Sequence, residues 1–211
     1  APADDLILKI IVTRGVGGRG YVPPTHTDYS CLAQWHPLPL GLHQAWMQGI
    51  DILISQHTLS ENINTAGIKH LNRLDQVLAS RELSAAAEAF PDIREGLMFD
   101  QHQRIIEGTR SNVFLVVGDR VLTPELRTSG VAGVMRQWVL DSLQSVEVTE
   151  LSADDLQQAN ELFVCNSVFG FWPVNRIVHI ENNQLQTRVS YKSQAICRLL
   201  QEKAQGLFAY D

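Results

Sequence analysis

Gly67-Ile68-Lys69-His70-Leu71-Asn72-Arg73-Leu74-Asp75 is the stretch on which the reading of this chain turns. The sequence has four lysines, Lys9, Lys69, Lys192 and Lys203. Lys9 sits in an apolar alternating run, and Lys192 and Lys203 lie in a polar, helix-like tail. Lys69 stands where an extended segment ends and an amphipathic run begins, with Leu74, Val77, Leu78 and Ala85 at helical spacing after it. A side chain at such a junction can point into a cleft while the helix behind it fixes its position. An amine held in a desolvated pocket loses its proton easily and can condense with a carbonyl. Position alone leaves Lys69 open between that role and a solvated lysine beside a helix start.

Composition bounds the answer. A chain of 211 residues allows one large domain or two modest ones, with enough length to bury a core. The apolar share of 45% and the charged share of 19% are ordinary for a globular enzyme. A formal net charge of -6, without any basic cluster, argues against a general nucleic-acid surface. Cys31, Cys165 and Cys197 are scattered and lack C-x-x-C spacing, which points to free thiols in a reducing, cytoplasmic setting and to no zinc site. No apolar run approaches membrane-spanning length.

Upstream of Lys69, Leu6 to Thr13 is β-branched and apolar and reads as a buried strand. Gly15, Gly17 and Gly20 then satisfy G-x-G-x-x-G, but Val22-Pro23-Pro24 follows, which cannot open the helix a dinucleotide site needs. The glycines are expected in a tight loop leading to a second strand near Tyr29 to Trp35. Arg19 and Tyr21 on that loop are either a solvated arginine and a packed tyrosine or a carboxylate trap, since guanidinium pairs bidentately with carboxylate. Pro37 to Leu42 punctuates the pattern as a linker.

Downstream, Ile50 to Ile54 reads as a strand, residues 72–89 as a helix ending before Phe90-Pro91, and Glu95 to Asp100 as a strand running into a turn. Glu107 follows two apolar residues and precedes a strand opened by Ser111-Asn112-Val113-Phe114, so it is a surface turn glutamate or a carboxylate held rigid between strands. Ser129 to Arg136 leads small residues into a helix, where free backbone N–H groups can hold an anion. Ser152-Ala153-Asp154-Asp155 has N-cap chemistry. Leu162-Phe163-Val164 is a buried strand delivering Cys165-Asn166-Ser167 at its end, a favoured place for ligand groups, with Cys165 itself a small buried apolar residue. Two further strands and a helix from Ser190 to about Gln205 are expected to complete the chain.

Gly67 to Val77, GIKHLNRLDQV, resembles the lysine motif of the 4-amino-4-deoxychorismate lyases, pyridoxal-phosphate enzymes of fold type IV. D-amino-acid and branched-chain aminotransferases share that fold with looser versions of the stretch. The E-G-x-x-S-N-V-F pattern from Glu107 and the Gly133-Val134-Met135-Arg136 turn extend the resemblance, which runs from about residue 6 to the C-terminus. It implies an α+β fold type IV enzyme with the cofactor in a cleft between two domains. Residues 1–37 would be the remainder of an N-terminal small domain, 38–46 a linker and 47–211 the large pyridoxal-phosphate-binding domain. Family members carry several dozen further residues ahead of this point, including a phosphate-binding arginine and a threonine that assists the lyase, so the small domain is expected to be incomplete.

The resemblance also assigns roles. Lys69 carries the cofactor and acts as general base, and Glu107 contacts the pyridine nitrogen. The backbone N–H groups of Val134 and Met135 and the hydroxyl of Ser167 hold the phosphate, and Asn166 faces the substrate. Arg19 and Tyr21, with Arg14 in reserve, bind substrate carboxylate in the active site of the neighbouring subunit, which implies a homodimer. The implied reaction converts 4-amino-4-deoxychorismate to 4-aminobenzoate and pyruvate, toward folate, with no metal, nucleic acid or membrane involved. A transaminase would use the same Lys69 and Glu107, and an inactive paralogue acting as a binding subunit is a third reading. The H-L-N-R-L-D-Q and G-G-R-G-Y sequences favour the lyase.

Overall fold

The computed structural model describes residues 6–182 and 184–208, so the outermost residues of both expected domains, 1–5 and 209–211, lie outside the described residues. The chain divides into two compact units between Leu42 and His43. In the first, β1 (Leu6–Thr13) pairs antiparallel with β2 (Ser30–Pro37), Leu6 opposite Pro37 and Thr13 opposite Ser30. Gly15 turns the chain out of β1 at φ +83°, and a Cβ there would lie 1.8 Å from the Asp28 carbonyl oxygen. The glycine-rich segment is therefore a strand-to-strand loop, as its prolines require. The expectation of a buried first strand is corrected: Leu6, Ile10 and Val12 are exposed, as are Leu32 and Trp35 of β2. A two-stranded ribbon has no second layer of its own unit to bury an apolar face against.

The second unit is α+β. It contains α1 (Leu42–Gln48), β3 (Ile50–Ile54), α2 (Leu74–Ala89), β4 (Ile93–Phe99), β5 (Ile105–Gly108), β6 (Asn112–Val117) and β7 (Arg120–Pro124). There follow α3 (Val134–Ser142), β8 (Val146–Thr149), α4 (Ala153–Gln158), β9 (Glu161–Asn166), β10 (Gly170–Glu181), β11 (Gln184–Ser190) and α5 (Ala195–Lys203). Residues 42–46, expected as linker, lie in α1. The strands form one sheet in the order β5-β4-β3-β10-β9-β6-β7-β8, with β11 on β10. β3 runs parallel to both β4 and β10 and is buried almost throughout, as its apolar run, interrupted only by Asp51, requires. β10 joins the two halves of the sheet: its start pairs with β9, and its later residues pair with β3 and β11.

Phe114, Phe163, Phe171, Val139 and Leu200 pack α3 and α5 against one half, and Leu53, Leu83, Ala86, Ile93 and Val178 pack α2 against the other. The apolar stripe read on α2 is the wrong face. Leu74, Val77 and Leu78 are exposed, and the buried positions are Ala79, Leu83 and Ala86. Small alanines let the helix lie close to β4, so the packed face carries little apolar bulk to read in a sequence. Ser152 caps α4 in a reciprocal capping box with Asp155, as expected. The C-terminal helix starts at Ala195 and not at Ser190, because residues 184–190 form the polar edge strand β11.

Candidate active site

Lys69 sits on the loop between β3 and α2, and that loop is tied down on both flanks. Gly67, at φ +76°, receives an N–H bond from Ala132 and gives one to the Gly130 carbonyl, both at 3.0 Å. A side chain there would be strained, so glycine suits this crossing. Past Lys69, the Arg73 guanidinium donates to the carbonyls of Ile68 at 2.7 Å and His70 at 2.9 Å, bracketing the lysine on either side. Asp75 in the first turn of α2 accepts from the Ser60 N–H at 2.9 Å and contacts His57 Nε2 at 3.1 Å. The Lys69 side chain is exposed in the chain by itself.

Glu107 lies near the end of β5, opposite Met98 of β4, and is only 4% exposed. Its Oε2 accepts the Val131 N–H at 2.8 Å and its Oε1 accepts from Gln76 Nε2 at 3.2 Å. Burial nevertheless dominates and pushes the carboxyl up to about 7, against the pull of those two bonds and of the Arg73 and Lys69 charges. Such a carboxylate gains most from a cation placed against it. Gln76 lies within the lysine motif but drew no assignment, because nothing in the spacing shows that α2 turns it toward β5.

α3 begins at Val134 after Gly133, which offers no side-chain cap. The first N–H groups of a helix have no intrahelical acceptor and attract anions. Gly133 is there for space: a Cβ would lie 2.2 Å from Asn112 Oδ1. Asn112 in turn donates from Nδ2 to the Val131 carbonyl at 2.7 Å, and so sets the turn that hydrogen-bonds Glu107. At the end of β9, Asn166 Oδ1 accepts the N–H groups of Val168 and Phe169 at 2.8 and 2.9 Å, and its Nδ2 donates to the Arg110 carbonyl at 3.0 Å. The Asn166 amide thus shapes the turn bearing Ser167, a structural duty beside the expected one. Cys165 is fully buried and burial raises its thiol far above the ordinary range, in keeping with a packing role.

These pieces meet. Lys69, Glu107, Val134, Met135, Asn166 and Ser167 all line one cavity of about 280 Å³, together with Arg73, Gln76 and the 108–112 turn. Arg14, Arg19 and Tyr21 lie on the exposed loop of the first unit. A larger cavity of about 780 Å³, lined by residues such as Leu53, Phe99, His179 and Arg188, holds no lysine and none of the expected site residues. Among the described residues, no cluster of His, Cys, Asp or Glu is placed to hold a metal ion. No helix among them is long and apolar enough to cross a membrane.

Comparison with known proteins identifies the family and the fold. An aminodeoxychorismate lyase of Vibrio harveyi is 35% identical over 187 residues, 83% of this chain, and the chain spans 64% of that curated relative's length. The crystal structure of 4-amino-4-deoxychorismate lyase from Pseudomonas aeruginosa superposes with a TM-score of 0.83 at 36% identity, covering 94% of this chain and 70% of that one. The branched-chain amino acid aminotransferase of Escherichia coli shares the fold, with a TM-score of 0.72 at 21% identity over 97% of this chain and 65% of its own. The α+β architecture is thus the fold type IV expected from the sequence. A model of the family described as amino-transferase class IV matches residues 2–177. Since that match takes in the lysine loop, the Glu107 turn and the end of β9 in one continuous span, the chain belongs to the amino-transferase class IV family.

Proposed function

We propose that this protein is a pyridoxal-phosphate-dependent carbon–oxygen lyase that forms 4-aminobenzoate and pyruvate from 4-amino-4-deoxychorismate, a step toward folate. The observation that carries the reading is the meeting of an amine, a buried carboxylate and an uncapped helix start in one cavity. The residues fit the cofactor on chemical grounds. Glu107 is a desolvated carboxylate suited to a protonated ring nitrogen, and the start of α3, with the Ser167 hydroxyl, suits a phosphate. Similarity to two lyases at 35% and 36% identity supports the lyase over a transaminase.

Bound in this cavity, pyridoxal phosphate supplies an electron sink for the pair left when a C–H bond next to the substrate amine is broken. Lys69 Nζ takes that proton as general base, from a loop that Arg73 and the Gly67 crossing hold in place. Gln76 and the Val131 N–H fix the two oxygens of Glu107, which would face the ring nitrogen of the bound cofactor as a carboxylate. Lys69 then gives a proton to the departing enolpyruvyl fragment, and loss of that fragment leaves an aromatic ring. Arg19 and Tyr21 bind substrate carboxylate in the neighbouring subunit, so the working unit is a homodimer. The apolar side chains exposed on β1 and β2 are consistent with such an assembly. Three free cysteines among the described residues suit the cytoplasm.

The test is direct. The protein is incubated with pyridoxal phosphate, reduced with borohydride and digested, and the labelled peptide is mapped. Lys69 should carry the label, and a label on Lys9, Lys192 or Lys203 would sink the assignment. Release of 4-aminobenzoate is then followed by fluorescence. Amino-group transfer to a 2-oxo acid without 4-aminobenzoate release would move the reading to an aminotransferase on the same residues.

A further inference from the structure

Glu95, in β4, is completely buried, and its carboxylate is surrounded by donors. The N–H groups of Gly96 and Thr109 donate to Oε1, each at 2.9 Å, and the Thr109 hydroxyl bonds the same oxygen. The Ser111 hydroxyl donates to Oε2 at 2.9 Å, with Arg110 Nε 3.8 Å from that oxygen. Apart from Gly96, all of these donors lie on the turn that begins immediately after Glu107 and Gly108. Space has been cleared for the arrangement. A Cβ on Gly108 would lie 2.3 Å from Ser111 Oγ and 3.0 Å from Glu95 Cδ. The same turn, from Gly108 to Asn112, forms part of the cavity wall beside Glu107.

We propose that Glu95 is a positioning residue for the cofactor site, its carboxylate locking the 108–111 turn so that Glu107 and the adjoining wall keep one fixed shape. A buried carboxylate is costly, and an apolar side chain of similar volume stabilises a fold at least as well. What an apolar residue cannot do is fix two residues of a turn, Thr109 and Ser111, through their hydroxyls and a backbone amide. The inference rests on the reading of the cavity as a pyridoxal-phosphate site, although the ordering of the turn is testable without it.

The experiment uses Glu95→Gln, which keeps the shape but replaces one acceptor oxygen with a donor. Hydrogen exchange is measured on the cofactor-free protein, and pyridoxal-phosphate affinity is read from the visible spectrum. Amides of residues 109–112 should exchange about tenfold faster or more, the scale of one lost hydrogen bond to a charged group, while those of α5 stay unchanged. Affinity for the cofactor should fall by a similar factor. Thr109→Val, which deletes one donor to the same oxygen and keeps the side-chain shape, should move both readouts in the same direction by less. It carries the test if Glu95→Gln does not fold. Unchanged exchange at the turn, a uniform rise that includes α5, or undiminished cofactor affinity overturns the proposal. Failure of the unsubstituted protein to bind pyridoxal phosphate would overturn the functional reading, and with it the cofactor half of this one. That failure shows before any variant is made, and the exchange result still decides whether Glu95 holds the turn.

Discussion

Glu107→Gln should make the cofactor-free protein more stable at pH 8 and slightly less stable near pH 4. In the fold the carboxyl titrates at about 7 because it is buried, against 4.5 for a free side chain. The folded state therefore holds this proton more tightly than the unfolded state. The stability it contributes is full below pH 4.5 and is lost as pH rises through about 7. The shift corresponds to roughly 3 kcal/mol between those limits, at about 1.4 kcal/mol per pH unit. Glutamine carries no charge at either pH. Its carbonyl can accept the Val131 N–H, and its NH₂ can face Gln76 once that amide turns over, at a cost of about 1 kcal/mol. The variant should thus lead by about 2 kcal/mol at pH 8, with the lead shrinking steadily as pH falls to 5. Other carboxyls change the stability of both proteins with pH and cancel in the difference. Urea unfolding of the pair at pH 5, 6, 7 and 8, followed by tryptophan fluorescence, measures it. A difference that does not vary with pH, or a more stable parent at pH 8, would refute the reasoning. With pyridoxal phosphate bound the order should reverse, since the ionised carboxylate then has a cationic partner and the amide does not.

Gly133→Ala should lower stability by about 1–3 kcal/mol, because its Cβ displaces Asn112 and with it the turn that hydrogen-bonds Glu107. Thermal unfolding and cofactor titration should both register it, and a silent alanine would show that Asn112 is free to move. Arg19→Ala should weaken substrate binding at unchanged cofactor affinity, costing on the order of 2–5 kcal/mol if a buried charge pair is lost. Mixing Arg19→Ala with Lys69→Ala subunits should restore partial activity, since one site of a mixed dimer then carries neither defect. Subunits that exchange without any recovery would place Arg19 within its own subunit's site or outside the site altogether.

Much of the element order was legible because the strands around the site are dense apolar runs bounded by polar turns, as in Ile50–Ile54 and Leu162–Val164, whereas the short elements α1, β5 and β8 were not read. The candidate site residues came from motifs, and those from Lys69 to Ser167 line one cavity. What stayed hidden depends on neighbours distant in sequence. Glu95 is one acid in a strand, and its donors other than the adjacent Gly96 N–H lie 14 and 16 residues away. Gln76 and Asn112 stood inside quoted motifs, but their duties appear only when α2 and the 130–133 turn are placed against β5 and β6. On α2, exposed Leu74 and Val77 outweighed buried Ala79 and Ala86 in the pattern. β11, the second of the two further strands expected, is polar because it lies at a sheet edge, and it ends at Ser190, where the helix was expected to begin.

The pairing of β3 with β10 sets the order in which a growing polypeptide can acquire its site. β3 ends at Ile54, and the partner on its other side, β10, starts at Gly170. When the lysine loop leaves the ribosome neither partner of β3 has followed; β4 closes one edge soon after, and the other stays open until more than a hundred further residues have been made. Cys165 to Ser167, which line the far side of the cavity, arrive equally late. Such long-range closure is slow and leaves an unpaired strand edge for other chains to find. A product cut short before β9 would retain Lys69 and Glu107 but lack the Ser167 side of the cavity. Cofactor capture would then be an event of the finished chain, and the vulnerable interval in biosynthesis falls between β3 and β10.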